Sequence, residues 1–477
     1  MPRLSRRSFL AASAAFAARP ATSAPALPAT DVVIIGAGAA GIAAARRIAA
    51  AGRKFVVLEA ADHIGGRCIT DTHTFDVPYD RGAHWIHMPD INPVMKLAPR
   101  QGLEVYPAPA SQKVRIGRRY AREGELEDFL AVQVRANRAI TEAARRSDIA
   151  CEQALPNDLA DWRPAIEFVL GPFGCGKDLA EVSAVDFAKS AERGADAFCR
   201  QGFGTLISGL AQGVPVQLST PATAIDMRRN VAVETPKGTI AARAAIVTVS
   251  SNVIASGTIK FTPDLATRQQ FDAFGKLSLG SYDHIALELK ENVLGLESDD
   301  LVFEKSSGSR TAAILANISG TPLCFVEVAG SFGRDLSAKG EAAMVNFAAD
   351  WLAGLYGAEI KQAIRRTHAT RWNSEPLALG AFSAAAPGAQ SARRVLMEPV
   401  DNAVWFAGEA VHETLWGTVG GAWESGERAA DAVLRRLGGK EPPPEAEATP
   451  KQKPKRGRAE PPMRQGSEAA PRIMREE

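Results

Sequence analysis

The stretch from Asp31 to Cys68 decides the fold, and its sequence is DVVIIGAGAAGIAAARRIAAAGRKFVVLEAADHIGGRC. An apolar run at 32–35 predicts a buried parallel strand, and three glycines follow it in G-x-G-x-x-G spacing where a helix begins: Gly36, Gly38 and Gly41. The first glycine permits a tight turn, the second lets a pyrophosphate approach the backbone, and the third allows close contact between helix and strand. The N-terminus of that helix faces the phosphate charge.

The rest of the stretch completes a strand–helix–strand unit. An alanine-rich helix is predicted from Ala39 to Ala51, and a second strand from Phe55 to Leu58. Glu59 ends that strand, where a carboxylate accepts hydrogen bonds from a ribose that lacks a 2′-phosphate. Ala40 and Ala60 are also predicted to contact the cofactor. Strand, glycines, helix, strand and acid occur in register, which favours a dinucleotide site over an ordinary helix start rich in glycine and alanine.

The continuation Gly65, Gly66 and Arg67 separates FAD from NAD. With it, the chain resembles the flavin amine oxidase superfamily, which includes monoamine oxidases, polyamine oxidases and flavin-dependent histone demethylases. The resemblance implies that FAD is the cofactor and that the G-G-R segment runs along its pyrophosphate and ribityl chain. Arg67 would then add a charge-assisted contact to the phosphates.

A second block at 80–98, DRGAHWIHMPDINPVMKLA, resembles the polyamine oxidase pattern G-A-x-W-I-H-G and its following N-P. The resemblance places Gly82, Ala83, His84 and Trp85 beside the flavin ring and His87 on the substrate side. Amino-acid oxidases of the same fold usually have an arginine here to hold a carboxylate. This chain has His84 and Trp85 instead, which argues against an amino-acid substrate.

A third block at 404–430, VWFAGEAVHETLWGTVGGAWESGERAA, resembles the segment that closes the flavin site in this family. A strand ending at Ala407 would deliver two residues to the phosphate and ribityl region, and the last helix would direct its N-terminal amides toward the flavin O2, where negative charge collects on reduction. The family pattern also brings one backbone segment to the adenine. The cofactor contacts implied by these segments are Gly408, Glu409, Thr418, Val419, Ala422 and Ala222.

Further positions concern the chemistry. The resemblance implies that Trp372 packs on the flavin and that residues 380–383 reach the flavin ring. Ala381 falls where monoamine oxidases have the cysteine that bonds to FAD, so non-covalent FAD is expected. Phe382 would form one wall of an aromatic cage, whereas Thr418 falls where monoamine oxidases have the opposing tyrosine.

The lysine that holds a water against flavin N5 in most of these enzymes is replaced. Alignment of 279–284 with the family strand puts His284 at that position. Histidine could hold the same water, and unlike lysine it titrates near neutral pH. Two alternatives stay open: His284 is structural, or Lys276 has this role from the preceding turn.

The N-terminus resembles an export signal. Ser5–Leu10, SRRSFL, fits the twin-arginine pattern, and a short alanine-rich run follows through Ala18. The run is too short to span a membrane, and cleavage after Ala24 or after Ala29 is equally compatible with the sequence. The twin-arginine translocase would therefore be a partner, and a periplasmic or secreted bacterial location is expected.

The composition limits the number of domains and the kinds of partner that the chain can have. The chain has 477 residues, of which 46% are hydrophobic, and this is enough for two interleaved domains. A formal net charge of +2 gives no electrostatic case for a nucleic-acid partner. The five cysteines make an odd count, so at least one is free or pairs with another chain, and without a CxxC pair no metal site is expected.

The predicted fold is α/β, with a discontinuous Rossmann-type FAD-binding domain of the GR2-like class and an interleaved α+β substrate domain. The predicted boundaries are 1–29 for the signal, 30–88, 202–261 and 371–438 for the FAD domain, and 89–201 and 262–370 for the substrate domain. The tail at 439–477 is rich in proline and charge and is expected to be disordered.

Amine oxidation is the leading hypothesis for function. A neutral amine would transfer hydride from its α-carbon to flavin N5, giving an imine, then an aldehyde, and hydrogen peroxide if oxygen is the acceptor; a periplasmic electron carrier is the alternative acceptor. Acids that could hold a distal ammonium group are Glu181, Asp186, Glu375 and Glu413. Two other hypotheses are a desaturase or porphyrinogen-type oxidase, which would reduce its flavin without an amine, and an FAD-binding module with little turnover.

Overall fold

A computed structural model describes residues 27–110, 112–190 and 195–443. The described residues from 27 to 442 belong to one compact unit. The twin-arginine segment at 5–10 and the tail beyond Pro443 lie outside the described residues. Among the described helices, none combines the length and the apolar composition that a membrane span requires.

The described residues form twenty strands, numbered along the chain. They are β1 (Leu27–Ile35), β2 (Phe55–Leu58), β3 (Thr70–Asp71), β4 (Tyr79–Asp80), β5 (Ile86–His87), β6 (Val105–Pro107), β7 (Gln112–Ile116), β8 (Arg119–Tyr120), β9 (Asp196–Cys199), β10 (Val216–Gln217), β11 (Ala224–Asp226), β12 (Val231–Thr235), β13 (Gly238–Val247), β14 (Lys260–Thr262), β15 (Tyr282–Leu289), β16 (Asp300–Glu304), β17 (Ala313–Ala316), β18 (Leu323–Ala329), β19 (Ile364–Ala369) and β20 (Val404–Phe406).

The α-helices of the same residues are α1 (Ala39–Ala50), α2 (Pro93–Leu97), α3 (Glu123–Ala144), α4 (Arg163–Phe168), α5 (Ala184–Lys189), α6 (Phe203–Leu210), α7 (Ser251–Ala255), α8 (Gln269–Lys276), α9 (Gly330–Ala338), α10 (Glu341–Tyr356), α11 (Ile360–Ala363), α12 (Ala392–Met397) and α13 (Val419–Arg436). Short 3-10 helices lie at Ala98–Gln101, Cys151–Ala154, Ala160–Trp162, Leu179–Glu181, Leu265–Thr267, Ile318–Gly320, Trp372–Ser374 and Glu409–Val411, and a π-helical turn lies at Val169–Phe173.

The first sheet has the strand order β10-β2-β1-β13-β12-β11-β14, and β20 also pairs with β13. Strands β10, β2, β1, β13 and β20 pair in parallel. Val32, Val33 and Ile34 in β1 have no solvent exposure, as expected for a parallel strand that is covered on both faces. This confirms the predicted strand–helix–strand unit, with the helix at 39–50.

Helices α1 and α13 pack closely against each other beside this sheet. A Cβ atom on Gly426 would lie 2.1 Å from the carbonyl oxygen of Ala40, which is much closer than a methyl group can approach. The missing side chain on α13 therefore lets α13 contact the first turn of α1. This brings the interior of the last helix to the first turn of α1.

The second sheet has the strand order β19-β15-β18-β17-β16-β7-β8. Its central pair, β15 and β18, is antiparallel, with His284 opposite Glu327 and Ile285 opposite Val326. Because side chains alternate along a strand, Ile285 and Val326 share one face, which packs with residues of α10 such as Met344 in an apolar core. His284 and Glu327 share the opposite face.

The apolar runs at 285–289 and 324–328 predict strands, and the structure confirms both, although β15 begins earlier, at Tyr282. The helical spacing at 126–144 predicts a helix, which the structure confirms with a start at Glu123. The first sheet is built from strands in the segments assigned to the FAD domain, and the second from strands in the segments assigned to the substrate domain. The domain boundaries themselves stay a prediction.

Candidate active site

Two of the three fingerprint glycines are required by the protein's own packing. Gly36 has a φ angle of +104°, and a Cβ atom there would lie 2.4 Å from Oγ1 of Thr248. A Cβ atom on Gly41 would lie 1.9 Å from the carbonyl oxygen of Gly36. Both positions must therefore be glycine for β1, α1 and the end of β13 to meet.

Gly38 differs from the other two. A Cβ atom on Gly38 would meet nothing closer than 3.8 Å among the described residues, and the atoms at that distance are backbone atoms of Gly65 and Gly66. The amide of Gly65 donates to the carbonyl of Ala37 at 3.0 Å, which joins the G-G-R segment to the glycine turn. The space beside Gly38 therefore fits the approach of a pyrophosphate rather than contact within the protein.

Glu59 is buried at the end of β2. Its carboxylate accepts hydrogen bonds from the amides of Ala37 at 2.6 Å and Ala61 at 2.8 Å. The amide of Thr220 donates to the carbonyl of Glu59 at 2.8 Å, which brings the chain just before Ala222 to the same place. The structure thus brings the glycine turn, the acid and the predicted adenine segment together, and these residues fit the adenosine half of a dinucleotide.

Arg67 and Glu409 join the first and third sequence blocks. Nη1 of Arg67 donates to the carboxylate of Glu409 at 3.0 Å and to the carbonyl of Ala381 at 2.6 Å. The same carboxylate accepts hydrogen bonds from the Ser383 hydroxyl at 2.7 Å and the Gly417 amide at 2.9 Å. Burial raises the pKa of Glu409, but Arg67, Ser383 and a second arginine outweigh it, so that pKa lies below its ordinary value. Glu409 is therefore an ionised anchor for three loops.

The segment from Gly380 to Ser383 lies against the start of β15. The amide of Gly280 donates to the carbonyl of Phe382 at 2.8 Å, and the amide of Ala381 donates back to Gly280 at 2.9 Å. The Phe382 ring centroid lies 5.8 Å from that of Tyr282. A Cβ atom on Gly417 would lie 3.1 Å from the Phe382 ring, so the start of α13 adjoins the same aromatic surface.

Trp372 is fixed beside the second block. Its indole Nε1 donates to the carbonyl of Arg81 at 3.0 Å, and its backbone amide donates to Asp283 at 2.9 Å. A Cβ atom on Gly82 would lie 3.0 Å from the indole ring. Burial raises the pKa of Asp283 to about 6, against hydrogen bonds that lower it. The structure therefore brings Trp372 to the 81–83 backbone.

His284 lies on the buried face of β15. Its Nδ1 donates to the carbonyl of Asp80 at 3.1 Å, and its ring stacks on Phe325 with centroids 4.5 Å apart. Burial, assisted by His84, lowers the pKa of His284 to about 4. The expectation that His284 titrates near neutral pH is therefore wrong, because the imidazole stays neutral. The Lys276 alternative is also wrong, since that side chain is half exposed and pairs with Asp272 at 2.6 Å.

His84 and Trp85 lie beside His284. Nδ1 of His84 donates to the carboxylate of Asp80 at 2.8 Å, and its ring stacks on Phe198 at 4.6 Å. The Trp85 ring is tilted on Phe198 at 4.7 Å. His84 Nε2 and Trp85 Nε1 are buried and have no hydrogen-bond partner among the described residues.

The structure places His87 in a different environment. His87 ends β5, which pairs with β9, and its Nδ1 contacts the carboxylate of Asp196 at 2.7 Å. About a quarter of the side chain is exposed. The role of His87 on the substrate side stays a prediction.

The start of α13 meets the loop that follows β20. The Thr418 hydroxyl caps α13 by accepting from the Gly421 amide at 2.9 Å, and Val419 and Ala422 lie in the first turn. Gly408 has a φ angle of +136°, and its amide donates to the Ser425 hydroxyl at 2.8 Å. The first turn of α13 therefore adjoins the Glu409 anchor.

The acids considered for a distal ammonium group have other partners. Asp186 is fully buried and forms two 2.7 Å hydrogen bonds with the guanidinium of Arg393, so it is not free for substrate. Glu181 lies 3.6 Å from the guanidinium of Arg334, and Glu413 lies 2.9 Å from that of Arg394. Glu375 accepts a 3.4 Å hydrogen bond from the amide of the exposed Leu377.

Sequence reasoning missed Glu327, Tyr282 and Arg393. Glu327 is the single acid in the apolar run 323–329, which is the signal that could have identified it. The five cysteines are buried free thiols, and no cluster of metal-ligating side chains occurs among the described residues.

Residues 39–434 match the model of the flavin-containing amine oxidoreductases. The chain belongs to this family. Polyamine oxidase 2 of Arabidopsis thaliana is 28% identical over 449 residues, which cover 86% of this chain and 89% of that protein. Lysine-specific histone demethylase 2 of Homo sapiens is 26% identical over 464 residues, covering 84% of this chain and 53% of that protein.

Solved structures share the fold. Cyclohexylamine oxidase from Brevibacterium oxydans IH-35A superposes with a TM-score of 0.72 at 20% identity, covering 86% of this chain and all of that one. Wild-type putrescine oxidase bound to putrescine gives the same TM-score at 19% identity, with the same coverage. The predicted α/β fold class is therefore confirmed. The protein is an FAD-dependent amine oxidoreductase, and the desaturase alternative is not favoured.

Proposed function

We propose that the protein oxidises an aliphatic di- or polyamine at the surface formed by Trp372, Phe382 and His84. Bound FAD supplies the two-electron oxidant, with the amine α-carbon as hydride donor and oxygen as the final acceptor. The product would be an imine, which hydrolyses to an aldehyde. The observation that carries this proposal is the Arg67–Glu409 contact, because it joins the first and third sequence blocks and, through Ser383, reaches the segment that holds Phe382.

The chain's own residues position and desolvate the amine. Phe382 and Tyr282 present aromatic rings 5.8 Å apart, and Trp372 is held by two hydrogen bonds. A rigid apolar surface of this kind fixes the substrate carbon and excludes water. Two relatives that match most of this chain are named polyamine oxidases. Their names support a substrate with more than one nitrogen.

The reaction is tested by anaerobic titration of the FAD-loaded protein with mono-, di- and polyamines and with amino acids, followed at the flavin absorbance. Bleaching by one amine class would establish the reaction and narrow the substrate. Bleaching by amino acids alone, or no bleaching by any amine, would overturn the proposal.

We also propose that FAD is held without a covalent bond. Ala381, whose carbonyl accepts from Arg67, has no nucleophile to offer the cofactor. Acid precipitation of the loaded protein should leave all flavin in the supernatant. Flavin that stays with the pellet would contradict non-covalent binding.

Export through the twin-arginine translocase is proposed from Arg6 and Arg7 in SRRSFL. The translocase carries folded proteins, which suits an enzyme that must acquire FAD before export. Replacing both arginines with lysine in the full chain should retain the protein in the cytoplasm of a bacterial host. Equal periplasmic yield of the two forms would overturn the proposal.

A further inference from the structure

Glu327 lies in the middle of β18 and has no solvent exposure. Neither of its carboxyl oxygens has a hydrogen-bond partner in good geometry among the described residues. Burial of an unpaired carboxylate is costly, and such groups in native proteins have a specific reason. The hydrogen bonds that join Arg67, Glu409, Ser383 and Gly417 do not involve this side chain.

His284 faces Glu327 across the strand pair but does not neutralise it. Nε2 of His284 lies 3.7 Å from Oε1 of Glu327, which is beyond hydrogen-bonding distance. Since Nδ1 of His284 donates to the Asp80 carbonyl, Nε2 of the neutral ring carries a lone pair. When Glu327 is ionised, its carboxylate and this lone pair are two acceptors that face each other, and a donor between them would satisfy both.

His84 adds another unpartnered polar atom to the same region. Its Nδ1 contacts the Asp80 carboxylate at 2.8 Å, and its Nε2 is buried without a hydrogen-bond partner among the described residues. His84 and His284 are neighbours, because both contact Asp80 and both rings pack on Phe325. Among the polar atoms of this region Trp85 Nε1 is a donor, whereas the two oxygens of ionised Glu327 and Nε2 of His284 are acceptors that an ammonium group would complement.

The groups that face Glu327 come from two elements. Strand β15 contributes Tyr282 and His284, and the segment 80–85 contributes Trp85, with Asp80 and His84 behind it. Burial raises the pKa of Glu327 to about 8, although the Tyr282 hydroxyl and the Trp85 indole lower it. No lysine or arginine of the described chain contributes to that pKa.

We propose that Glu327 binds the substrate's amine nitrogen and accepts its proton before oxidation. This rests on the proposed amine oxidation. The step starts from the ionised carboxylate of Glu327: one N–H bond of the ammonium group breaks, an O–H bond forms on Glu327, and the electron pair stays on nitrogen. The α-carbon then loses hydride to the bound flavin, which is the oxidant, while the nitrogen lone pair forms the C=N bond. The proton on Glu327 returns to water when the product leaves.

The first test compares flavin-loaded wild-type protein with E327Q, which has nearly the same shape but cannot accept a proton. E288Q is the matched control, because Glu288 lies on β15 and pairs with Arg366 away from this cluster. At pH 7.5 we expect the anaerobic rate of flavin reduction by an amine to fall by about 100-fold or more in E327Q and to stay unchanged in E288Q. Near pH 10 free amine is abundant, so E327Q should approach the wild-type rate.

The second test does not depend on turnover. tert-Butylamine has no hydrogen on its α-carbon and cannot donate hydride, so its binding is measured by calorimetry on the same three proteins. We expect binding to weaken by about tenfold or more in E327Q only, since a charge-assisted hydrogen bond is lost. Equal binding and equal reduction rates in E327Q, or no binding to any of the proteins, would overturn the proposal. Binding that depends on Glu327, without bleaching by any oxidisable amine, would overturn the proposed oxidation and leave the carboxyl–amine contact supported.

Discussion

Arg393 and Asp186 form a bidentate ion pair in which both side chains are fully buried, with both N–O distances at 2.7 Å. The pair joins α12 to α5. The remaining Nη1 of Arg393 donates to the Ser383 hydroxyl at 3.2 Å, and that hydroxyl donates to Glu409. The Glu409 anchor is thus connected, through Ser383, to a buried ion pair in another part of the chain.

Breaking this pair should be severe. Arg393→Met leaves Asp186 as an uncompensated buried charge, and we expect the free energy of unfolding to fall by about 3–5 kcal/mol. Arg394→Met is the control, because Arg394 is 70% exposed and pairs with Glu413, so its loss should cost less than about 1 kcal/mol. Denaturant unfolding of the FAD-loaded protein measures both values. Equal effects of the two variants would mean that the buried pair is not structurally important.

The fingerprint glycine Gly41 offers a test of packing. Gly41→Ala would put a methyl carbon 1.9 Å from the Gly36 carbonyl oxygen, so β1 and α1 must separate. We expect a loss of about 1–3 kcal/mol or more in stability and release of FAD. Gly354 lies on the exposed side of α10 with nothing near a new Cβ, so Gly354→Ala should gain about 0.5–1 kcal/mol. A Gly41→Ala protein that is as stable as wild type would contradict the close packing.

How much the sequence could predict depends on distance along the chain. The glycine turn and Glu59 lie within one strand–helix–strand unit, so spacing alone identified them. Arg393 and Asp186 are far apart in sequence, and an ordinary arginine and aspartate carry no pattern that pairs them. Glu327 is similar, since its relation to His284 depends on the register of β15 with β18. Burial, which the sequence does not show, controls the pKa of His284, and the expectation of a titration near neutral pH is wrong for that reason.

Arg67 should contribute directly to FAD affinity. Arg67→Gln removes the positive charge of the G-G-R segment and leaves Glu409 with one fewer partner. A charge-assisted hydrogen bond contributes about 1.5–3 kcal/mol, so we expect FAD to dissociate about tenfold to hundredfold more readily. Arg228→Gln, at an exposed pair with Asp226, should leave the affinity unchanged. Fluorescence of released FAD on dilution measures the dissociation constants, and unchanged affinity in Arg67→Gln would remove this arginine from the cofactor site.

His284 should not produce a titration in the activity profile between pH 5 and 8. Its pKa of about 4 keeps the ring neutral over that interval. His284→Gln keeps a polar side chain without an ionisation, so the pH dependence of its rate of flavin reduction should match that of wild type, whatever the size of the rate. Loss of an ionisation from the profile of His284→Gln would show that the imidazole is charged in the working enzyme.

Glu327 should make the wild-type protein less stable as the pH rises. Its pKa is about 8 in the folded state against an ordinary 4.5, so between these values the folded protein holds a proton that the unfolded chain has released. The contribution of this group to stability is therefore fully present below about pH 4.5 and is lost as pH rises through about 8. Glu327→Gln holds no titratable proton, so its melting temperature should exceed that of wild type increasingly from pH 5 to pH 9.

Glu288→Gln serves as the control for this measurement, because Glu288 titrates below this range and the curve of Glu288→Gln should stay parallel to that of wild type from pH 5 to pH 9. Arg366 lowers the pKa of Glu288 through a side-chain hydrogen bond, so its stabilising effect is present above the ordinary carboxyl pKa and is lost as pH falls through the lowered folded-state value. Melting temperatures of the three FAD-loaded proteins between pH 5 and pH 9 show whether Glu327 holds a proton in the folded state. Parallel curves for Glu327→Gln and wild type would show that Glu327 is ionised in the folded protein at neutral pH, and that its charge is met by a partner other than substrate.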